Sequence, residues 1–284
     1  MNLDAQDITV RAGRRILVSA ASVKARSGEV LAVLGPNGAG KSTLLGALAG
    51  DRRPDAGEVL LGGAPIARMR PAELARRRAV LPQESRVAFP FDAIEVVLLG
   101  RFPHHGGIER CRDRLIAARM LEDVGLAHRA RQAYGSLSGG ERLRVQIARV
   151  FAQLEDAHDG GVLLLDEPTA SLDMPQAAAV LRMARRAAAG GAAVVAVLHD
   201  LNLAARFADR LLLLHEGRVH ASGTPRDLLR PSTIAAVWDQ PCAVLEHPAD
   251  GGPLVVPLHA RTSRPEAEGF RSARPPQASA AAAC

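Results

Sequence analysis

The stretch Val30-Leu31-Ala32-Val33-Leu34-Gly35-Pro36-Asn37-Gly38-Ala39-Gly40-Lys41-Ser42-Thr43-Leu44-Leu45 decides the fold. The apolar run Val30 to Leu34 fits a strand buried on both faces. A glycine-rich turn breaks it, and Leu44, Leu45 and Leu48 then return at helical spacing. Strand, loop and helix in this order carry the pattern G-x-x-x-x-G-K-[ST], filled by Gly35, Gly40, Lys41 and Ser42. The glycines let successive backbone N–H groups turn inward, at the positive end of the helix that follows. Lys41 offers an ammonium for phosphate oxygens, and Ser42 a hydroxyl for Mg2+. Gly35, Pro36, Asn37, Gly38, Ala39, Gly40, Lys41, Ser42 and Thr43 are therefore expected to hold the phosphates of a nucleotide.

Outward from this loop, further apolar runs occur at Val59 to Leu61, Val162 to Leu165, Ala193 to Leu198 and Leu211 to Leu214. Apolar on both sides and separated by helical stretches, they predict buried strands of a mostly parallel sheet. Between Gln83 and Phe151 the pattern is helical instead, at Ala93 to Leu99, Arg112 to Val124 and Glu141 to Gln153. A helical insertion over about 84–151 is expected, followed by a small C-terminal unit over about 223–258. In that unit Thr224-Pro225 opens a helix, Thr233 to Trp238 forms a second, and Ala243 to Glu246 pairs with Leu254 to Leu258 across Asp250-Gly251-Gly252. The stretch 259–284, rich in Arg, Ser, Pro and Ala, is expected to be a disordered tail.

The strand Val162 to Leu165 ends in Asp166-Glu167-Pro168. Asp166, at the strand's carboxyl end, is placed to hold Mg2+, and Glu167 to orient an attacking water as general base. Leu137-Ser138-Gly139-Gly140-Glu141 precedes a helical stretch. A serine and two glycines there form an anion site or a plain N-cap. A second such loop in one chain suggests a composite site in which two copies meet head to tail. His199 follows the strand Ala193 to Leu198 and can reach a γ-phosphate from the same sheet edge.

Composition sets the outer bounds. The chain has 284 residues, 48% hydrophobic, with 36 basic and 30 acidic side chains and a net charge of +6. That core content excludes wholesale disorder, and no run is long enough to span a bilayer. The start carries neither a basic n-region nor an apolar segment, so no secretory signal is expected. Cys111, Cys242 and Cys284 are scattered without metal or disulfide spacing, which fits a reducing compartment. Only Lys24 and Lys41 are lysines, and Lys24 is read as solvated surface. Aromatics make up 3% of the chain and no long lysine/arginine run accompanies the charge, so a nucleic-acid partner is not expected.

The order phosphate loop, Gln83, Leu137-Ser138-Gly139-Gly140-Glu141, Leu163-Leu164-Leu165-Asp166-Glu167-Pro168, Ser171-Leu172-Asp173, His199 resembles the ATP-binding subunit of an ABC transporter. The resemblance covers about residues 1–258. It implies an α/β fold: the sheet core of a P-loop NTPase of ABC ATPase type, with a helical subdomain inserted. It implies ATP and Mg2+ as ligands. Glu167 and His199 would act in hydrolysis, and Gln83 would sense Mg2+ and the membrane partner. Ser138, Gly139 and Gly140 would bind the opposite ATP, with Asp173 at the dimer seam. One departure stands out. The family's usual adenine-stacking aromatic is missing from Thr9-Val10-Arg11-Ala12-Gly13-Arg14-Arg15. A weakened preference for ATP over GTP is expected, with an arginine available to stack.

Several segments resemble haemin-importer ATP-binding subunits in particular. They are Arg76 to Gln83, Ala88-Phe89-Pro90-Phe91 with Glu95 to Arg101, Val145 to Val150, Val197 to Ala205, and Val244 to Pro248 with Val255-Val256-Pro257. Siderophore and cobalamin importers share much of this. The resemblance implies a homodimer under a permease dimer, at the cytoplasmic face of the bacterial inner membrane, with a periplasmic haem-binding protein in the full system. Phe89, Phe91 and Phe102 either receive a short permease helix or fill the helical subdomain's own core, with one or two exposed. His104-His105 is read as solvated and not as a haem ligand. A soluble ABC ATPase acting on DNA or ribosomes would bring a second cassette or coiled-coil arms. A GTP switch would bring an Asn-Lys-x-Asp motif. Neither feature is found.

Overall fold

The computed structural model describes residues 1–83, 89–157 and 160–258. The tail expected over 259–284 lies outside the described residues, as does Ala88. The chain opens with an antiparallel hairpin, β1 (Leu3–Ala12) and β2 (Arg15–Ala25). Next, β3 (Val30–Leu34) runs through the glycine loop into α1 (Lys41–Ala49). The strands β4 (Ala56–Leu61) and β5 (Ala64–Pro65) return to the first sheet, and α2 (Pro71–Arg77) leads to β6 (Arg78–Leu81). Helices α3 (Ala93–Leu98), α4 (Phe102–His105), α5 (Cys111–Asp123) and α6 (Gly139–Leu154) follow, with no strand between them among the described residues.

The sheet resumes with β7 (Val162–Asp166), α7 (Met174–Ala189), β8 (Ala193–Val197), α8 (Leu201–Phe207), β9 (Arg210–His215) and β10 (Arg218–Gly223). The helices α9 (Pro225–Leu228) and α10 (Pro231–Trp238) precede a hairpin of β11 (Cys242–Glu246) and β12 (Pro253–Pro257). Thr224 caps α9 by accepting from the Asp227 amide, and Val244 faces Val255 in the hairpin. No helix of the described residues is long and apolar enough to cross a membrane.

The central sheet has the order β10-β9-β3-β8-β7-β6 and is parallel apart from β10. Its inner strands are apolar except at their ends because both faces are covered. Val30, Ala32 and Leu34 of β3 join the core beneath the helices, together with Leu163, Leu165, Val194 and Ala196. Leu31 and Val33 face the other way, into a core shared with α1 and the first sheet.

The run at Val59 to Leu61 is a correction to the sequence reading. It belongs to β4, which pairs antiparallel with β1 (Leu3↔Leu61, Ala5↔Val59) in a separate sheet. Only one face of β4 is covered: Val59 and Leu61 are buried and Leu60 is not, the alternation of a half-buried strand. The parallel sheet gains its far edge from β6 instead, a strand masked in the sequence by its arginine-rich lead. There Ala79 and Leu81 are buried in alternation.

Phe89 and Phe102 are exposed, whereas Phe91 packs against the core with its ring 5.9 Å from that of Phe89. His104 and His105 close a helical turn and do not sit in a solvated loop. His104 Nε2 lies 2.8 Å from the Gln153 carbonyl. Lys24 is on the surface, 3.6 Å from Asp4.

Candidate functional site

Four neighbouring parallel strands, β3, β8, β7 and β6, end on the same edge of the sheet. There they release in turn the glycine loop, His199, Asp166-Glu167 and Gln83. The carboxyl edge of a parallel sheet is where loops splay apart and leave a crevice for a ligand. The loop itself requires its glycines. Gly35, at φ +156°, would put a Cβ 2.0 Å from the Leu214 carbonyl oxygen, and Gly40, at φ +98°, would put one 2.6 Å from that of Leu17. Asn37 and Gly38 form the exposed tip, and Ala39 is buried beneath it. No side chain caps α1, and no acidic residue occupies its first turn, so its terminal amides face the loop unopposed.

Lys41 is buried at 6% exposure and folds back so that Nζ donates to the carbonyls of Gly35 and Pro36, both at 2.9 Å. Burial pushes its ammonium pKa down, against the charges of Glu167 and Asp166. Beside it, Ser42 Oγ donates to Asp166 Oδ1 at 3.2 Å. Asp166 is 7% exposed. Burial raises its carboxyl pKa, opposed by the Ser42 hydrogen bond and the Lys41 charge and reinforced by Glu167. A hydroxyl and a carboxylate this close form a hard oxygen pair of the kind that suits Mg2+, and a divalent charge would relieve the strained carboxylate. The next residue, Glu167, sits in the left-handed region at φ +51°, and its amide donates to the Val197 carbonyl at 3.2 Å. That turn aims its side chain at His199, where Oε1 lies 2.7 Å from Nε2.

Five of the residues singled out from sequence, Lys41, Ser42, Asp166, Glu167 and His199, thus converge. Gln83 lies exposed on the same edge, and among the described residues no hydrogen bond joins it to them. The remaining four form a second cluster. Ser138 caps α6 by accepting from the Glu141 amide at 3.3 Å, and Asp173 caps α7 by accepting from that of Gln176 at 2.9 Å. A Cβ on Gly140 would come within 3.2 Å of the Ser171 carbonyl, which sets the two caps side by side. On Gly139 it would meet open space. Among the described residues, nothing in this cluster is hydrogen-bonded or ion-paired to the phosphate loop.

Sequence reading passed over Asn202 and Arg101. Asn202 lies three residues past His199 and bonds twice to the backbone of Val255, through Oδ1 at 2.8 Å and Nδ2 at 3.2 Å. Arg101 is buried among carboxylates in the helical insertion. The only local hint was an asparagine just inside a helix start and an arginine closing an apolar run.

Residues 18–170 match the family described as ABC transporter. A Gloeobacter violaceus protein named hemin import ATP-binding protein is 50% identical over 90% of this chain and 94% of its own length. A Myxococcus xanthus protein of the same name is 49% identical over 90% and 97%. Among solved structures, a bacterial ABC transporter cassette in dimeric form superimposes with a TM-score of 0.69 at 27% identity, covering 79% of this chain and 99% of the other. The chain belongs to the ABC transporter family, among its ATP-binding subunits.

Proposed function

We propose that this chain hydrolyses ATP, as one of two identical subunits under a membrane permease, to drive haem import across the bacterial inner membrane. The observation that carries the reading is the Glu167–His199 pair, 2.7 Å apart on the sheet edge that also holds the phosphate loop. In this reading Gly35 to Thr43 bind the phosphates of ATP, with the loop amides and Lys41 offsetting their charge. Glu167 takes the proton of the attacking water, and His199 holds the γ-phosphate opposite it. Ser42, Asp166 and Gln83 hold Mg2+, which would neutralise charge on the phosphates when bound.

Ser138, Gly139 and Gly140 contact the ATP of the second copy, with Asp173 at the seam. The open space beside Gly139 supports this, because nothing among the described residues demands a glycine there. The dimeric cassette among the solved relatives supports the pairing. Haem as cargo rests on the names of relatives that match this chain almost end to end. A periplasmic haem-binding protein would complete the system, and the chain would sit at the cytoplasmic face of the membrane.

Glu167→Gln tests the chemistry. The variant should bind ATP and hydrolyse it at least about 100-fold more slowly, the lower end for loss of a general base. Near-normal turnover would refute the assignment. Haem-dependent growth of a deletion strain tests the cargo. Undiminished growth on haem, with loss of growth on a ferric siderophore, would reassign it.

A further inference from the structure

The segment that carries His199 is held at both ends. On one side the Leu198 amide donates to the Val33 carbonyl at 3.1 Å, tying the end of β8 to β3. On the other, Asp200 Oδ1 accepts from the amides of Asn202 and Leu203 at 2.8 and 3.0 Å and starts α8. That helix has only seven residues, too few to hold a direction by themselves. Its anchor is Asn202, whose side-chain amide accepts from Val255 N–H and donates to the Val255 carbonyl. An asparagine amide presents an N–H donor and a carbonyl acceptor side by side, so it meets the edge of β12 as a neighbouring strand would. Val255 is itself buried, and among the described residues every hydrogen bond between the β11–β12 hairpin and α8 runs through Asn202. A cavity of about 940 Å³ opens alongside, lined by Glu167 and His199 and also by His247, Asp250 and Leu254 of the C-terminal unit.

We propose that Asn202 is a positioning residue for hydrolysis: by clamping β12 to the first turn of α8 it holds His199 against Glu167. The C-terminal hairpin thereby becomes one wall of the hydrolytic site and sets its geometry. The inference rests on the assignment of Glu167 and His199 to hydrolysis given above.

The test is steady-state ATP hydrolysis by the full chain. Asn202→Ala should lower kcat about tenfold, within the range that small misplacements of a reacting group produce. KM for ATP should stay within about twofold, because the phosphate loop on β3 and α1 is untouched by the clamp. Asn202→Asp keeps the bond from Val255 N–H and loses the one to the carbonyl, so its kcat should fall between the two. This near-isosteric variant carries the test if the alanine variant fails to fold. In a His199→Gln background, Asn202→Ala should add less than about a twofold further loss, as expected when one residue acts through the other. The proposal is overturned by unchanged kcat in both Asn202 variants, by a loss carried in KM, or by an undiminished loss in the His199→Gln background. Unchanged kcat in His199→Gln alone would overturn the underlying assignment of the pair, and the clamp with it.

Discussion

Two of the buried charge groups among the described residues are built on opposite principles. In the helical insertion, Arg101 is 1% exposed and fully engaged. Its Nε bonds Asp113 Oδ1 at 3.0 Å, one terminal nitrogen donates to the Ala152 carbonyl at 2.7 Å, and the other meets Asp156. Asp113 also accepts from the Arg110 amide at 3.0 Å. Burial pushes the Asp113 carboxyl up, but the Arg110 amide and the Arg101 guanidinium outweigh it and hold the pKa below the usual range. At the sheet edge, Lys41 and Asp166 are buried almost as deeply, yet no ion pair joins them among the described residues. The ammonium bonds neutral carbonyls and the carboxylate meets a hydroxyl. The first group is complete within the chain. The second is left with a positive and a negative charge to be matched from outside, which is what a nucleotide with its cation offers.

Breaking the complete group should have the largest effect. Arg101→Leu strands the buried Asp113 carboxylate and should cost about 3–5 kcal/mol in denaturant unfolding. A loss below about 1 kcal/mol would mean the network is not the staple described. Asp113's share of that stability is present above the carboxylate's unfolded pKa. It is lost as pH falls through its lowered folded value, so the gap between wild type and Asp113→Asn should close in acid.

Lys41→Ala should act the other way round. It should weaken ATP binding by roughly 10- to 150-fold, the worth of one charge-assisted contact, with unfolding free energy unchanged within about 1 kcal/mol. Asp166→Asn sharpens the contrast further. Its folded pKa is raised, so the penalty is absent at low pH and grows as pH rises through the interval between the unfolded and folded values. The asparagine variant should therefore be more stable than wild type near neutrality, and the advantage should vanish in acid. In return it should gain less stability from ATP with Mg2+.

The smallest effect concerns the base. Stacking on an aromatic contributes about 1–3 kcal/mol, and the hairpin turn from Ala12 to Arg15 offers none. GTP should compete for the ATP site within about tenfold of ATP itself, and a strong adenine preference in competition binding would refute this.

What could be read from sequence was whatever is written contiguously. The strand, loop and helix from Val30 to Ala49 sit within one short segment. The same holds for Asp166-Glu167 at the end of β7 and for His199 after β8. Each is a local consequence of strand period and turn chemistry. The Arg101 network joins residues 101, 113, 152 and 156, and the Asn202 clamp joins residues 202 and 255. In both cases the partner is chosen by packing, which no spacing encodes. The sheet assignment of β4 depends likewise on a partner far along the chain. The open space beside Gly139 has meaning only once its surroundings exist in three dimensions.

The strand order carries one more consequence, for the making of the molecule. β8 lies between β3 and β7, although it is the last of the three to emerge from the ribosome. Until residues 193–197 insert, β3 and β7 stand about two strand spacings apart, near 9–10 Å. The phosphate loop and its carboxylates then belong to two strands with no ladder between them. A nascent chain stopped short of β8 holds every residue of the loop and both acidic groups, yet it lacks the ladder that ties β3 and β7 into one sheet, and His199 with it. Nucleotide can thus favour only chains whose central strand has slotted home, and so acts as a check on completed assembly.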